Sequence, residues 1–219
     1  MIRLHHCPGT RSVRSLWLLY ELGVDFELVT LPFDKTLRQP AHLALNPAGR
    51  VPALELGGTA LFESGAIAEV LCERFSPAGL GRPVGHPERA AWLQWVHFAE
   101  TVSQHCANLT QQHLMLREDH MRSPILTQLE ARRLGKTFGV IEAAVQGSDY
   151  LLSEFSAADI GAGQAVEMGR HFVRLADYPA LGRWFDRLLA RPAFARALEG
   201  AGGFYARDFY PPLEDPAGS

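Results

Sequence analysis

Asn46-Pro47-Ala48-Gly49-Arg50-Val51-Pro52-Ala53-Leu54-Glu55, followed by Leu61-Phe62-Glu63-Ser64, is the stretch on which the rest of the chain is organised. Pro47 and Gly49 punctuate a loop, Ala53 to Leu56 reads as a short apolar strand, and Gly57-Gly58 makes a tight hairpin turn into a second strand near Ala60 to Phe62. Pro52 brings no N–H to a ladder, which suits an edge or a turn with a cis Val51–Pro52 bond and the polar backbone of Val51 facing outward. Ser64 falls where a helix N-cap belongs, so free N–H groups and the positive end of a helix dipole point out of the fold. Together these features offer an extended peptide a strand-like edge and offer its carboxylate an anion site.

Upstream of that stretch, Ile2 to His6 alternates as a first strand and Cys7-Pro8-Gly9-Thr10 is a loop. Arg11 to Leu22 then carries Val13, Leu16, Trp17 and Tyr20 at helical spacing, with Gly23 in the C′ position. Asp25 to Leu31 is a second strand, so the three elements form a right-handed βαβ unit with parallel strands. Pro32 to Pro40 is a polar connection, and Ala41 to Leu45 a short helix stopped by Asn46-Pro47. Ser64 to Phe75 is amphipathic, with Ile67, Val70 and Leu71 on one face.

Downstream, Ser76 to Pro87 is crowded with Pro and Gly and reads as a linker, dividing residues 1–76 from residues 88–219. Beyond it the pattern is helical throughout. Glu88 to Leu116 and Pro124 to Gln146 are long helices, Ser156-Ala157-Ala158-Asp159 is a capping box that opens a third, and Pro179 to Ala190 and Pro192 to Glu199 are short helices started by Pro. Gly200 to Ser219 is an irregular aromatic tail, with Phe204, Tyr205, Phe209 and Tyr210 placed to lie back over a cleft.

Composition narrows the possible functions. A chain of 219 residues, 47% hydrophobic and 21% charged, is ordinary for a globular protein. A formal charge of −3 lacks the basic excess of a nucleic-acid surface, and no apolar run reaches the roughly 20 residues that span a bilayer. Met1 to His6 lacks the form of a secretory signal, so a cytoplasmic protein is expected. Cys7, Cys72 and Cys106 make no even framework and read as reduced thiols, and the nine histidines form no metal-ligand pair.

Asn-Pro-x-Gly-x-Val-Pro-x-Leu and Glu-Ser-x-Ala-Ile at this separation closely resemble the glutathione-binding half of the glutathione S-transferase family. The order βαβαββα followed by an all-α region is similar to that family's thioredoxin-like domain and helical bundle, as is the run Tyr178-Pro179-Ala180-Leu181-Gly182-Arg183-Trp184. The resemblance implies an enzyme that holds glutathione as co-substrate, without a metal, and conjugates it to a small apolar electrophile. It also implies a two-fold homodimer, with no nucleic-acid or membrane partner.

In the register of relatives with Ser-Arg-x-x-Arg ahead of Leu-Trp-Leu-Leu, Thr10 falls on the Ser that donates to the glutathione sulfur, beside Arg11. In the register of the thiol-transferring branch, Cys7-Pro8 falls on a Cys-Pro whose thiol forms a mixed disulfide. Ser12 is a further hydroxyl. By the same resemblance Val51 pairs its backbone with the cysteinyl unit, Pro52 is the cis-proline, Glu63 and Ser64 hold the γ-glutamyl end, and Arg50 with Arg38 reaches the glycyl carboxylate. Trp95, Phe98, Thr101, Val102 and His105, near helical spacing on the long helix, are expected to line the second substrate's pocket. A non-catalytic binding module of the same fold is the alternative from another class.

Overall fold

The computed structural model describes residues 1–210. The expected order holds in the first part: β1 (Ile2–His6), α1 (Ser12–Leu22), β2 (Glu27–Thr30), α2 (Pro40–Leu43), β3 (Ala53–Leu56), β4 (Thr59–Phe62) and α3 (Ser64–Arg74). The sheet order is β2-β1-β3-β4. β1 runs parallel to β2, with His6 opposite Thr30, and antiparallel to β3, with His5 opposite Ala53. The polar connection after β2 contains one 3-10 turn, Lys35–Arg38, whose Thr36 N–H is capped by Asp34.

The rest is helical: α4 (Arg89–Thr110), α5 (Pro124–Ala144), α6 (Ala157–Gly169), α7 (Pro179–Leu189) and α8 (Pro192–Ala197). α4 ends in a π turn at Gln111–Met115, short of the expected Leu116. α6 opens with the predicted capping box. Its Asp159, fully buried, accepts from the N–H groups of Leu151 and Ser156 at 2.9 and 3.0 Å and from Trp184 Nε1 at 3.0 Å. Burial raises its carboxyl above the usual range even against these donors. Among the described residues no helix is long and apolar enough to cross a membrane.

One continuous apolar core runs through both parts, from Leu4, Leu18 and Ile67 to Phe138, Trp184 and Phe194. Trp17 of α1 stacks on Phe194 of α8 with ring centroids 3.9 Å apart and planes 7° from parallel. Arg191 clamps Glu21 with two bonds of 2.7 Å while lying 3.6 Å over the Phe155 ring. Helix α1 is therefore covered on one side by the sheet and on the other by the helical region, which explains why Ser12 to Leu19 are all buried.

One boundary differs from expectation in a way that matters for the site. The N-cap of α3 is Glu63, at φ 71° and ψ 111°, and Ser64 is already the first helical residue. Glu63 is the one non-glycine residue with positive φ among those described. Such a conformation is uncommon for a side-chain-bearing residue, and it turns the chain from β4 into the helix while leaving the Glu63 side chain exposed.

Candidate functional site

The site is built where β1, β3 and the first turns of α1 and α3 converge. The loop Cys7–Arg11 leads β1 into α1, and Thr10 and Ser12 fold their hydroxyls into it. Thr10 Oγ1 donates to the Cys7 carbonyl at 2.7 Å and receives the Ser12 N–H at 3.3 Å. Ser12 Oγ receives the Cys7 N–H at 3.1 Å and lies 2.9 Å from Thr10 Oγ1 and 2.8 Å from His6 Nδ1. His6 is 2% exposed, and burial pushes its imidazole down to about 4, so the ring is neutral at pH 7. Gly9, at φ +74°, holds the outer turn of the loop, and a Cβ placed there would come within 2.5 Å of Phe204 Cβ.

Cys7 sits differently from the expectation of an attacking thiol. It is 2% exposed, packed with Leu37 and Val51 in a small apolar cluster behind the loop. Burial first, and the charge of Asp34 second, push its thiol up to about 11. A thiolate nucleophile needs a positive, partly exposed setting, and this is the reverse. All three cysteines are free and buried.

The second wall is the quoted stretch itself. The Val51–Pro52 bond is cis. The carbonyl before it, on Arg50, is gripped by His42 Nε2 at 2.9 Å and Asn46 Nδ2 at 2.8 Å, while Asn46 Oδ1 takes the Ala48 N–H at 3.0 Å. Asn46 and α2 thus fix the strand-like segment that carries Val51. Gly49, at φ +61°, lets the loop approach the connection after β2, where a Cβ would meet the Leu37 carbonyl at 3.1 Å and Arg38 Cγ at 3.8 Å. Arg38 and Arg50 are both exposed on this rim.

The third wall is a charged cluster centred on Glu100. Ser64 Oγ donates to Glu100 Oε1 at 3.0 Å and accepts from Arg14 Nη1 at 3.3 Å. Arg14, 5% exposed, is also paired with Glu100 and donates to Ser103 Oγ at 2.6 Å and Gln164 Oε1 at 3.0 Å. Arg11 closes the set with a 2.7 Å bond to the other Glu100 oxygen. Burial would raise the Glu100 carboxyl, but Arg14, Arg11 and Ser64 outweigh it and hold the carboxyl below its usual range. Gln164 Nε2 reaches the Thr10 carbonyl at 3.5 Å, so one polar path runs from Ser64 to the Thr10 backbone.

A family model described as "Glutathione S-transferase, N-terminal domain" matches residues 1–72. A glutathione S-transferase of Silene vulgaris is 31% identical over 211 residues, which cover 90% of this chain and 96% of the relative. The chain belongs to the glutathione S-transferase family. Glutathione S-transferase 3 of Zea mays is likewise 31% identical, over 90% of this chain and 93% of its own. Among solved structures, a glutathione S-transferase from Xylella fastidiosa superposes with a TM-score of 0.82 at 26% identity, covering 92% of this chain and 99% of that one. A sphingomonad glutathione S-transferase complexed with glutathione gives 0.76 at 27% identity, over 91% and 98%.

In this glutathione S-transferase the five residues expected to line a second-substrate pocket do not share a surface. Val102 is fully buried in the core and Trp95 is 8% exposed, set edge-on against Phe98. His105 is turned to α5, bonded to Glu130 at 2.8 Å, and Thr101 faces solvent. The apolar heptad-like pattern on α4 serves its packing against α5 and α6. The aromatic surface beside the first loop comes from elsewhere: Phe204 touches Gly9 and meets Phe33 edge-on at 5.2 Å. Tyr205 anchors that segment through its hydroxyl, 2.9 Å from Thr110 Oγ1, and by stacking on His171 at 4.8 Å. The tail therefore lies back as expected through residue 210, and its remainder, 211–219, is outside the described residues.

The resemblance places Arg14 on the later Arg of the Ser-Arg-x-x-Arg pattern without giving it a contact, and sequence reasoning missed Glu100 and His6 altogether. The available signal for Arg14 was its position in a run, Val13 to Leu19, that is apolar but for Arg14 and Ser15, where a solvated arginine has no room. Among the described residues no group of three or more His, Cys, Asp or Glu side chains is placed to hold a metal ion.

Proposed function

We propose that this enzyme binds glutathione across the α/β part, residues 1–76, and lowers the pKa of its thiol for attack on a small apolar electrophile held against the helical part, residues 88–219. The supporting observation is the polar path that joins Ser64, at the first turn of α3, through Arg14 and Gln164 to the Thr10 backbone in the first loop. Glutathione would lie extended, its cysteinyl backbone paired with Val51 beside Pro52. Its γ-glutamyl end would meet Ser64, the α3 N-terminus and the carboxylates of Glu63 and Glu100, with the glycyl carboxylate near Arg50 and Arg38.

The sulfur then reaches the first turn of α1. There Thr10 turns its proton from the Cys7 carbonyl to the sulfur, with Ser12 behind it and Arg11 adding positive potential. A free thiol with a pKa of about 8.5 is mostly protonated at neutral pH, and a shift of two units, about 2.7 kcal/mol, makes it mostly thiolate. Phe33 and Phe204 supply apolar surface next to that sulfur for the second substrate. A two-fold homodimer belongs to the same proposal, and sedimentation equilibrium of the intact protein measures it.

The deciding experiment is an ultraviolet titration of the bound thiol. Activation predicts a thiolate band that appears well below the pH at which free glutathione ionises, and an unchanged pKa overturns it. Failure to be retained on immobilised glutathione would favour the non-catalytic binding module. A thiol-transfer activity that disappears in Cys7→Ser would revive the disulfide chemistry that the burial of Cys7 argues against.

A further inference from the structure

We propose, on the reading of Thr10 above as the sulfur's donor, that His6 is a positioning residue: its Nδ1–H donates to Ser12 Oγ, and this fixes the direction of the two hydroxyl protons so that Thr10 has one to give to the ligand.

Proton counting on the distances supports this arrangement. Each hydroxyl has one proton to donate and two acceptor sites. Ser12 Oγ lies within hydrogen-bond reach of four groups: the Cys7 N–H at 3.1 Å, the Cys7 carbonyl at 3.1 Å, Thr10 Oγ1 at 2.9 Å and His6 Nδ1 at 2.8 Å. The Cys7 N–H can only donate, so it occupies one acceptor site. If His6 Nδ1 were bare, Ser12 would spend its proton inward on the imidazole, and its second acceptor site would draw the Thr10 proton inward as well. With Nδ1 protonated, both acceptor sites on Ser12 are filled. Its proton must then go to Thr10 Oγ1 or to the Cys7 carbonyl, and Thr10 cannot donate to Ser12.

The two remaining positions exchange without leaving a buried group unpaired. In the structure Thr10 serves the Cys7 carbonyl at 2.7 Å. When Thr10 turns to a thiolate, the Ser12 proton moves to the same carbonyl, so the buried acceptor keeps a partner and its desolvation penalty is avoided. The neutral ring, 2% exposed at the end of β1, brings no charge of its own to the sulfur.

Three measurements test the idea on the full-length enzyme. Nitrogen-15 spectra of the imidazoles, with His6 assigned by its disappearance in His6→Asn, should show the Nδ1–H tautomer; an Nε2–H tautomer overturns the proposal. The pKa of bound glutathione should rise by about one unit in His6→Phe, a tenfold loss of thiolate below that pKa. It should stay near the wild-type value in His6→Asn, whose amide hangs on Cγ where Nδ1 does, and equal loss in both variants would reduce the role to packing. In a Thr10→Val background, His6→Phe should add no further shift, and an additive shift overturns the coupling. If Thr10→Val alone leaves the bound pKa unchanged, Thr10 is not the donor and the proposed activation fails with it. If Thr10→Val shifts the pKa but His6→Phe does not, only the positioning role falls. Should His6→Phe fail to fold, the tautomer in the unmodified enzyme still decides.

Discussion

Two polar clusters flank the first turn of α1, and they are built on opposite principles. His6, Ser12 and Thr10 form a neutral, buried set of short bonds, whereas Arg14, Glu100, Arg11 and Ser64, with Gln164, form a charged set that joins four elements. In the proposed activation the neutral set tunes the ligand's proton, because it has protons to redirect and no net charge to compensate. The charged set holds α1, α3, α4 and α6 in register, and its energy lies in keeping a buried guanidinium paired. The difference separates residues whose loss should change chemistry from residues whose loss should change the fold.

The sharpest way to break this division is to unpair the charged set. Glu100→Ala leaves Arg14 buried without its partner and is expected to lose about 3–5 kcal/mol in urea unfolding, whereas Glu100→Gln, which keeps the Ser64 bond, should lose less. The wild-type pair has its own acid signature. Glu100 is depressed in the folded state, so its contribution is present above the unfolded glutamate value of about 4.3 and fades as pH falls below it.

His6, in the neutral set, should show in stability only as a dependence on pH, in a different window. Its pKa is about 4 when folded against the ordinary 6.5, so on acidification the unfolded chain takes up a proton first. Its stabilising contribution is whole above pH 6.5 and is lost between there and pH 4, about 3 kcal/mol in all. Unfolding free energies measured across that range should flatten in His6→Phe relative to wild type.

Next comes chemistry. On the proposed role of Thr10, Thr10→Val would remove a hydrogen bond to a charged sulfur, worth about 1.5–3 kcal/mol, so kcat/KM for conjugation at pH 6.5 should fall by roughly 10- to 100-fold. Melting temperature should move little beside Glu100→Ala. A smaller effect is expected for Phe204→Ala, which strips the aromatic face beside Gly9. It should raise KM for a bulky apolar electrophile by roughly 10-fold and leave KM for glutathione nearly unchanged. The smallest change belongs to Cys7→Ala, whose conjugation rate should stay within about twofold while stability drops by roughly 1 kcal/mol for the lost packing. A large loss of conjugation would put Cys7 back among the reacting groups.

What could be read from the chain divides in the same way. Turn chemistry and short-range periodicity carried the α/β part: Gly57-Gly58 fixed the hairpin, Pro52 marked the bend, and the spacing of Val13, Leu16, Trp17 and Tyr20 predicts a helix over Arg11 to Leu22, within one residue of the observed start. The Ser156–Asp159 box was legible because capping is a local interaction. Glu63 as the N-cap of α3 was not, since nothing in a glutamate's identity announces a positive φ, and Ser64 was the conventional choice. The face of α4 that meets the cleft was misassigned because this helix buries residues toward α5 and α6 together, which spreads its apolar positions over more than one stripe. Glu100 was invisible for a related reason: in a polar helix position a carboxylate reads as solvated until a partner 86 residues away is known to be there.

The stacking of Trp17 on Phe194 bears on how this molecule can be taken apart. Parting the halves at the Pro- and Gly-rich connection would expose an indole, the Glu21 carboxylate and most of one side of α1 to water, so the halves are not separable modules. Heating should accordingly give a single calorimetric peak. Grafting a foreign helical half onto this α/β half would succeed only if the donor supplied an aromatic ring and a guanidinium at the positions that Phe194 and Arg191 now hold.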